Sequence, residues 1–360
     1  MQEPRNAVEA VTHPDPWPYY AGLRRDRPLF FDESLGLWVA SSHAVISEAF
    51  AHPQLRVRPP AEPVPKALLG TAAGEVFAQL VRMTDGPFHA AHKPEMEQAA
   101  RCWTLADVAG ASEAAARNLR PRMGANDFMA ALPVRAMALL LGVPGALLDD
   151  TGVRVAQFVR GIGPGAAAQD VVLADSAART LMQEGAALGL PPVQAAARIA
   201  FMQQSLDATG ALLGHAVLAL AQDAQLAAAA DQSPDAMRRF VAEVERHAAP
   251  TQNTRRFAAQ PLELAGRAIG EGQGILLVLA AGNRDASLNP QPDLFDADRA
   301  QPHSMGFGSG RHGCPGAAIA IEIVAAAVHS TRATGQFSSY FGPKTGFRPL
   351  GNIRSPIFAN

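Results

Sequence analysis

Apolar and polar positions along this chain fall mostly into long stretches with helical spacing. Ala- and Leu-rich runs occupy roughly Glu95 to Asn118, Ala131 to Leu141, Val153 to Val159, Ala174 to Leu188, Val193 to Ala230 and Pro234 to His247, and each predicts helix. A further apolar run, Ala317 to Val328, predicts another. Strands are predicted where the pattern shortens. Pro28 to Phe31 and Leu37 to Ala40 flank the turn Glu33-Ser34-Leu35-Gly36, and Leu262-Glu263-Leu264 and Arg267-Ala268-Ile269 flank Ala265-Gly266. Pro14, Pro16, Pro18 and Pro28 punctuate the start around a short helix near Tyr19 to Arg25. Five prolines between Pro53 and Pro65 predict a loop without a regular element. The sum is a mostly α chain with small β-sheets. No fixed-period repeat and no Gly/Ser-rich linker divides it, so residues 1–360 are expected to form a single domain.

Composition narrows the function classes. A chain of 360 residues suits one large helical domain around a buried cofactor. A formal net charge of −2 with 18% charged residues makes no broad electrostatic case for nucleic acid or an anionic membrane as partner. The two cysteines, Cys102 and Cys314, supply neither a disulfide framework nor four thiols for zinc, and suit a reducing compartment. Met1-Gln2-Glu3-Pro4-Arg5-Asn6 carries neither a charged leader nor an apolar anchor. The expected location is cytoplasmic.

The chemistry concentrates in Phe307-Gly308-Ser309-Gly310-Arg311-His312-Gly313-Cys314-Pro315-Gly316. Pro315 fits the first position of the helix predicted from Ala317, so Cys314 stands where free N–H groups and the helix dipole favour an anion. Gly308, Gly310, Gly313 and Gly316 allow the backbone to approach a flat ligand, and Phe307 supplies an aromatic wall. The run Phe-x-x-Gly-x-His-x-Cys-x-Gly resembles the haem-binding signature of the cytochrome P450 family. That resemblance implies the cytochrome P450 fold and a haem b (iron protoporphyrin IX) cofactor. It makes Cys314 the proximal iron ligand, whose electron donation favours O–O cleavage, and sends His312 to a haem propionate. Phe307 and Gly316 join the cofactor-binding set.

The rest of the chain extends the resemblance. Glu243 and Arg246, three apart on one helix, are similar to the family's Glu-x-x-Arg pair, and with Arg299 they imply a buried structural triad that holds the haem loop. Asp85-Gly86-Pro87-Phe88-His89-Ala90-Ala91-His92-Lys93 resembles the Asp-Pro-Pro-x-His-x-x-x-Arg segment, which implies His89 and Lys93 as propionate partners, lysine replacing the usual arginine fork. Arg256 matches the family's other propionate arginine. The oxygen-binding helix is expected over about 193–230. With Leu213-Gly214 as anchor, Asp207 is its acid and Ala208 stands where the family has threonine.

Loss of that alcohol leaves open what orders proton delivery. Gln204, one turn before Ala208, or a substrate hydroxyl is one reading; a one-residue slip that makes Thr209 the functional alcohol is another. By family analogy substrate contacts fall on Val81, Met83, Gln203, Ala208, Asn253, Thr254 and Asn352. Several are polar, which hints at a small polar substrate. The stretch from Gly142-Val143-Pro144 to Asp207 is short, which should trim the helices above the pocket. The resemblance implies a monooxygenase that uses dioxygen and electrons from a ferredoxin and its reductase, with Arg311 and Arg101 as docking candidates, to hydroxylate or demethylate a small molecule. Peroxide-driven or non-inserting chemistry (coupling, dehydration, reduction) is the alternative, and a haem-thiolate sensor a third reading.

Overall fold

The computed structural model describes residues 2–299, 302–335 and 337–359. Among them fourteen α-helices and nine strands follow in order. Helix α1 (Trp17–Asp26) leads into strands β1 (Leu29–Asp32) and β2 (Leu37–Ala40), helix α2 (His43–Ala51) and strand β3 (Leu55–Arg56). A helical series follows: α3 (Ala72–Ala78), α4 (Gly86–Arg101), α5 (Leu105–Leu119), α6 (Ala125–Leu140), α7 (Leu148–Ile162), α8 (Ala168–Ala187), α9 (Pro192–Gln222), α10 (Ala224–Ala230) and α11 (Pro234–Ala248). Strands β4 (Thr254–Ala258), β5 (Leu262–Leu264), β6 (Arg267–Ile269) and β7 (Gly274–Leu277) precede α12 (Leu279–Asn283). Helices α13 (Ala317–Arg332) and α14 (Phe337–Tyr340) and strands β8 (Lys344–Phe347) and β9 (Pro356–Phe358) complete the chain.

Two helical runs are interrupted where the apolar pattern reads as continuous. Glu95 to Asn118 breaks after Arg101 because Thr104 starts a new helix with a reciprocal capping box: its hydroxyl accepts from Asp107 N, and the Asp107 carboxylate accepts from Thr104 N. Val193 to Ala230 breaks at Asp223, whose carboxylate accepts from the N–H groups of Gln225 and Leu226 at 2.8 and 3.0 Å. Apolar spacing continues across both breaks, so periodicity alone does not reveal them.

The strands gather into a five-stranded sheet in the order β1-β2-β7-β4-β3, with β2 and β7 parallel and the other pairs antiparallel. The proline-rich stretch thus corrects its reading as wholly irregular. Leu55 and Arg56 lie between its prolines and pair with Ala258 and Phe257 at the sheet edge, where proline is tolerated. The hairpin of β5 and β6 turns at Ala265 and Gly266, both at positive φ.

The main apolar core joins α3, α5 to α9, α11 and α13. Helix α13 packs on α5, α9 and α11, so the loop that feeds it is set against the molecule's longest helix, α9. Helices α7 and α8 pack on each other and on α9, and only four residues, 188–191, join α8 to α9. No helix among the described residues is long and apolar enough to cross a membrane.

Gly210 permits the closest approach of α9 to α6, since a Cβ there would lie 2.6 Å from the Met129 carbonyl oxygen, which is backbone and cannot swing away. Gly210→Ala is therefore expected to lower the urea-unfolding midpoint by an amount equivalent to about 1–3 kcal/mol. An unchanged midpoint would mean that α6 and α9 are not locked at this crossing.

Candidate functional site

The cysteine loop is tied by its own backbone. Gly308 N donates to Met305 O (2.8 Å), Gly313 N to Gly310 O (3.0 Å) and Cys314 N to Phe307 O (2.8 Å). Gly308 and Gly310 have φ of 66° and 62°, which residues with a Cβ adopt only under strain. Helix α13 begins at Ala317 with Gly316 as its cap. Pro315 therefore precedes the helix, a correction to its expected first helical position: the chain spends Pro315 and Gly316 on a turn that presents the sulfur. Cys314 has exposed surface. Yet burial pushes its thiol pKa up, while the Gly316 N–H, Lys93 and Arg82 favour the thiolate.

Cationic and hydrogen-bonding groups stand around the cysteine loop. His89, on α4, is 6% exposed, and its Nε2 has no hydrogen-bond partner. Burial, then His312 and Lys93, push its pKa down to about 4, so it is neutral. Its ring lies 4.3 Å from that of His312, whose Nε2 is 2.9 Å from Asp85 Oδ1. Lys93 Nζ donates to the Gly313 carbonyl, which fastens α4 to the cysteine loop. Arg256, on β4, is 6% exposed and has no ion pair among the described residues; burial lowers its pKa to about 10. An orphaned imidazole, a buried guanidinium without an ion pair among the described residues and a thiol are the kinds of group that dianionic haem edge groups with an iron centre would satisfy. The residues present fit the implied cofactor.

Behind the loop, Glu243, Arg246 and Arg299 come together. Arg246 is fully buried and binds Glu243 through Nε and Nη2, both at 2.7 Å. Its remaining donors reach the carbonyls of Asn283, Pro292 and Leu294. Arg299 Nε lies 3.7 Å from Glu243 Oε1, and its terminal nitrogens bind the carbonyls of Pro290, Gln291 and Leu294. Asn283, given no role by sequence reasoning, relays this to the loop: it donates to Arg246 O and accepts from Met305 N.

On α9 the residues of interest divide between faces. Gly210 and Gly214 abut α6 and β9. Ala208 lies about 160° from Gly210 around an ideal helix, on the opposite side, with Gln204 one turn before it. Asp207 instead lines a cleft of about 190 Å³ with Asn126, Asp127, Arg348 and Ser355 among its walls. Its Oδ1 is 3.7 Å from Arg348, and burial raises its pKa against that cation. Gln203, Gln204 and Ala208 are half-buried, and Thr209 is buried at 4% exposure.

The other proposed substrate contacts form two groups. Val81 is buried and Met83 packs on the main core, just before α4. Asn253 donates to Gly351 O (3.1 Å) and Gln252 N to Asn352 O (2.9 Å), which sets the start of β4 beside the turn before β9; Thr254 is half-buried and Asn352 exposed.

A family model described as cytochrome P450 matches residues 232–331. A stretch of 108 residues, 30% of this chain, is 36% identical to linalool 8-monooxygenase of Pseudomonas putida. A stretch of 114 residues, 32% of the chain, is 34% identical to a biotin biosynthesis cytochrome P450 of Bacillus subtilis (strain 168). Those matches span 27% and 29% of the two relatives' lengths. Among solved structures, P450BioI in complex with a hexadec-9Z-enoic acid ligated acyl carrier protein superposes with a TM-score of 0.79 at 20% identity, covering 97% of both chains. P450 RauA complexed with a biosynthetic intermediate of aurachin RE gives 0.79 at 21% identity over 98% of both.

Glu245, beside the latch, escaped the sequence reading. It is 4% exposed, its Oε2 has no partner, and a Cβ on Gly306 would lie 2.0 Å from its Oε1. Burial raises its pKa to about 7, against Ser304 and Arg246. A carboxyl whose folded pKa is raised from 4.5 contributes stability that is present below the unfolded value and lost as pH rises through about 7. Wild-type protein is therefore expected to lose about 3 kcal/mol through this group between pH 4.5 and 8, and Glu245→Gln to flatten that slope in urea unfolding followed by circular dichroism. Parallel slopes for the two proteins would mean that the carboxyl is ionised in place.

Proposed function

The chain belongs to the cytochrome P450 family, and from that premise we propose that it is a haem-thiolate monooxygenase that hydroxylates or oxidatively demethylates a small, polar organic molecule with dioxygen. The observation that carries this reading is the tied cysteine loop packed beside α4, where Lys93 holds the Gly313 carbonyl and the buried His89, its ring against that of His312, lacks a partner. Cys314 would bind the iron; His89, Lys93, Arg256 and His312 would hold the propionates; Phe307 and Gly316 would pack on the flat face. The cofactor is haem b, held without covalent attachment, since Cys102 sits at the exposed end of α4. When bound, the haem supplies the electron-transfer and oxygen chemistry, favoured by thiolate donation.

The chain's own residues position water, substrate and protons. Asp207 takes up protons at its carboxylate from the cleft, where burial raises its affinity for them and Arg348 limits that rise. The Gln204 amide, on the Ala208 face, orders the water or substrate hydroxyl that replaces the missing alcohol, while Thr209 is buried within the helix packing. Val81, Met83, Gln203, Ala208, Asn253, Thr254 and Asn352 shape the substrate's surroundings. A ferredoxin and its reductase supply electrons, met by Arg311 and by Arg101, whose side chain is exposed at the end of α4. A cytoplasmic location and a single domain over 1–360 go with this reading.

Ala208 favours a second reading, in which peroxide is the oxidant or no oxygen is inserted. Turnover separates the two. Under the first, Asp207→Asn is expected to reduce ferredoxin-supported turnover by about 100-fold, and Ala208→Thr to raise product formed per reductant consumed. Wild-type turnover with peroxide alone, unaffected by Asp207→Asn, would establish the second. Cys314→Ser is expected to abolish the thiolate-type visible spectrum under either; a spectrum unchanged in Cys314→Ser would remove the cysteine, and both readings with it.

A further inference from the structure

We propose that Glu245 is a positioning residue for the cysteine ligand: its carboxyl orients the Ser304 hydroxyl and, through it, holds the segment that leads to Cys314. The proposal rests on the haem-thiolate reading and adds a residue on which ligation by the sulfur depends. Glu245 lies in the last turn of α11, beside Arg246, and is 4% exposed. A Cβ on Gly306 would lie 2.0 Å from Glu245 Oε1 and 3.4 Å from Ser304 Oγ, so carboxyl, hydroxyl and loop backbone meet at one point. The carboxyl fills the place of the side chain that Gly306 lacks. Arg246 does not compete for it, since its five donors go to Glu243 and to the carbonyls of Asn283, Pro292 and Leu294.

The donor and acceptor capacity of Ser304 decides what the carboxyl does. A serine hydroxyl has one proton to give and two lone pairs to receive with. Both lone pairs are taken, because Gly306 N donates to Oγ at 3.0 Å and Asn283 Nδ2 at 3.2 Å. The proton is left for the Glu245 carboxyl, to which Ser304 is hydrogen-bonded. Without that acceptor the hydroxyl is free to turn its proton toward the two donors it now receives from. The effect reaches the sulfur in short steps. Met305 N is held by Asn283 Oδ1 at 2.6 Å, Gly306 leads directly to Phe307, and the Phe307 carbonyl accepts from Cys314 N at 2.8 Å. Bulk alone does not explain a carboxyl here: Glu245 Oε2 is buried without a partner among the described residues, a cost that an apolar side chain would avoid. Burial raises the pKa to about 7, and in either protonation state one oxygen remains to accept from Ser304.

The test uses holoprotein reduced under carbon monoxide, whose Soret band distinguishes thiolate from thiol ligation, and follows the rate at which the thiolate-type band is lost. Glu245→Gln keeps an acceptor for Ser304 and is expected to match the wild type to within about twofold. Glu245→Met keeps the length without the acceptor and is expected to lose the band about tenfold faster, the effect of one buried hydrogen bond. Ser304→Ala is expected to do the same, and the double variant to be no faster than either single one, because both changes remove the same bond. A Glu245→Met protein as durable as the wild type, a Glu245→Gln protein as labile as Glu245→Met, or a double variant in which the two accelerations multiply overturns the proposal. Should Glu245→Met fail to fold, Ser304→Ala decides alone, and a rate equal to that of the wild type overturns it. A wild-type protein that takes up no haem, or shows no thiolate-type band at any time, refutes the haem-thiolate reading itself, a result distinct from all of these.

Discussion

The cysteine side of this molecule hangs from Arg246. A fully buried cation is tolerable only when every donor is matched, because its lost hydration is otherwise uncompensated. Glu243 takes two of its nitrogens, and the rest go to carbonyls of Asn283, Pro292 and Leu294. Those carbonyls are available only if the chain beyond α12 folds back across α11. Asn283 then receives the Met305 N–H and donates to Ser304, which carries the constraint to the first residues of the cysteine loop. Because Gly308 and Cys314 are fixed by hydrogen bonds within that loop, the sulfur's position follows from a cation far behind it.

The side of the loop that faces α4 shows the opposite condition. Polar groups buried in a folded chain are nearly always paired, and those left unpaired mark a place where something else completes the pairing. At the latch, charge is closed by the chain itself. Around the cysteine loop, among the described residues, the buried His89 Nε2 has no hydrogen-bond partner and the buried Arg256 has no ion pair. The contrast separates structural from functional charge within one helical body. Glu245 stands between the two: buried and half-partnered, it lies under Gly306, which has room for the carboxyl only because it lacks a side chain.

Legibility in the sequence tracked how local each determinant is. The cysteine loop and the β5–β6 hairpin are set by residues within ten positions of one another, so their residue types carry them. The helical runs were readable from spacing, but their breaks depend on single caps, Thr104 and Asp223, inside apolar patterns that continue past them. Strand β3 is two residues long, and its identity comes from Ala258 and Phe257, some two hundred positions away. Strands β4 and β7 likewise become strands by pairing with distant segments, β2 among them. The direction of Asp207 depends on Arg348 and on the α6 contact at Gly210, neither of which its neighbours in sequence announce.

Helix α9 makes the consequence of Ala208 sharper than a missing hydroxyl suggests. Its glycine face is committed to α6, so the helix cannot rotate to carry Asp207 toward the Ala208 side without a clash against the Met129 carbonyl. The Asp207 carboxyl therefore stays in the cleft it shares with Arg348, while Gln204 and Ala208 occupy a different face. A methyl group at 208 leaves space and no competing hydrogen bond beside Gln204, so a ligand that brings its own polar group can stand where the family's alcohol stands. Under the proposed function the substrate would then be an ordering part of the site, and the loss of threonine would go with dependence on a polar ligand.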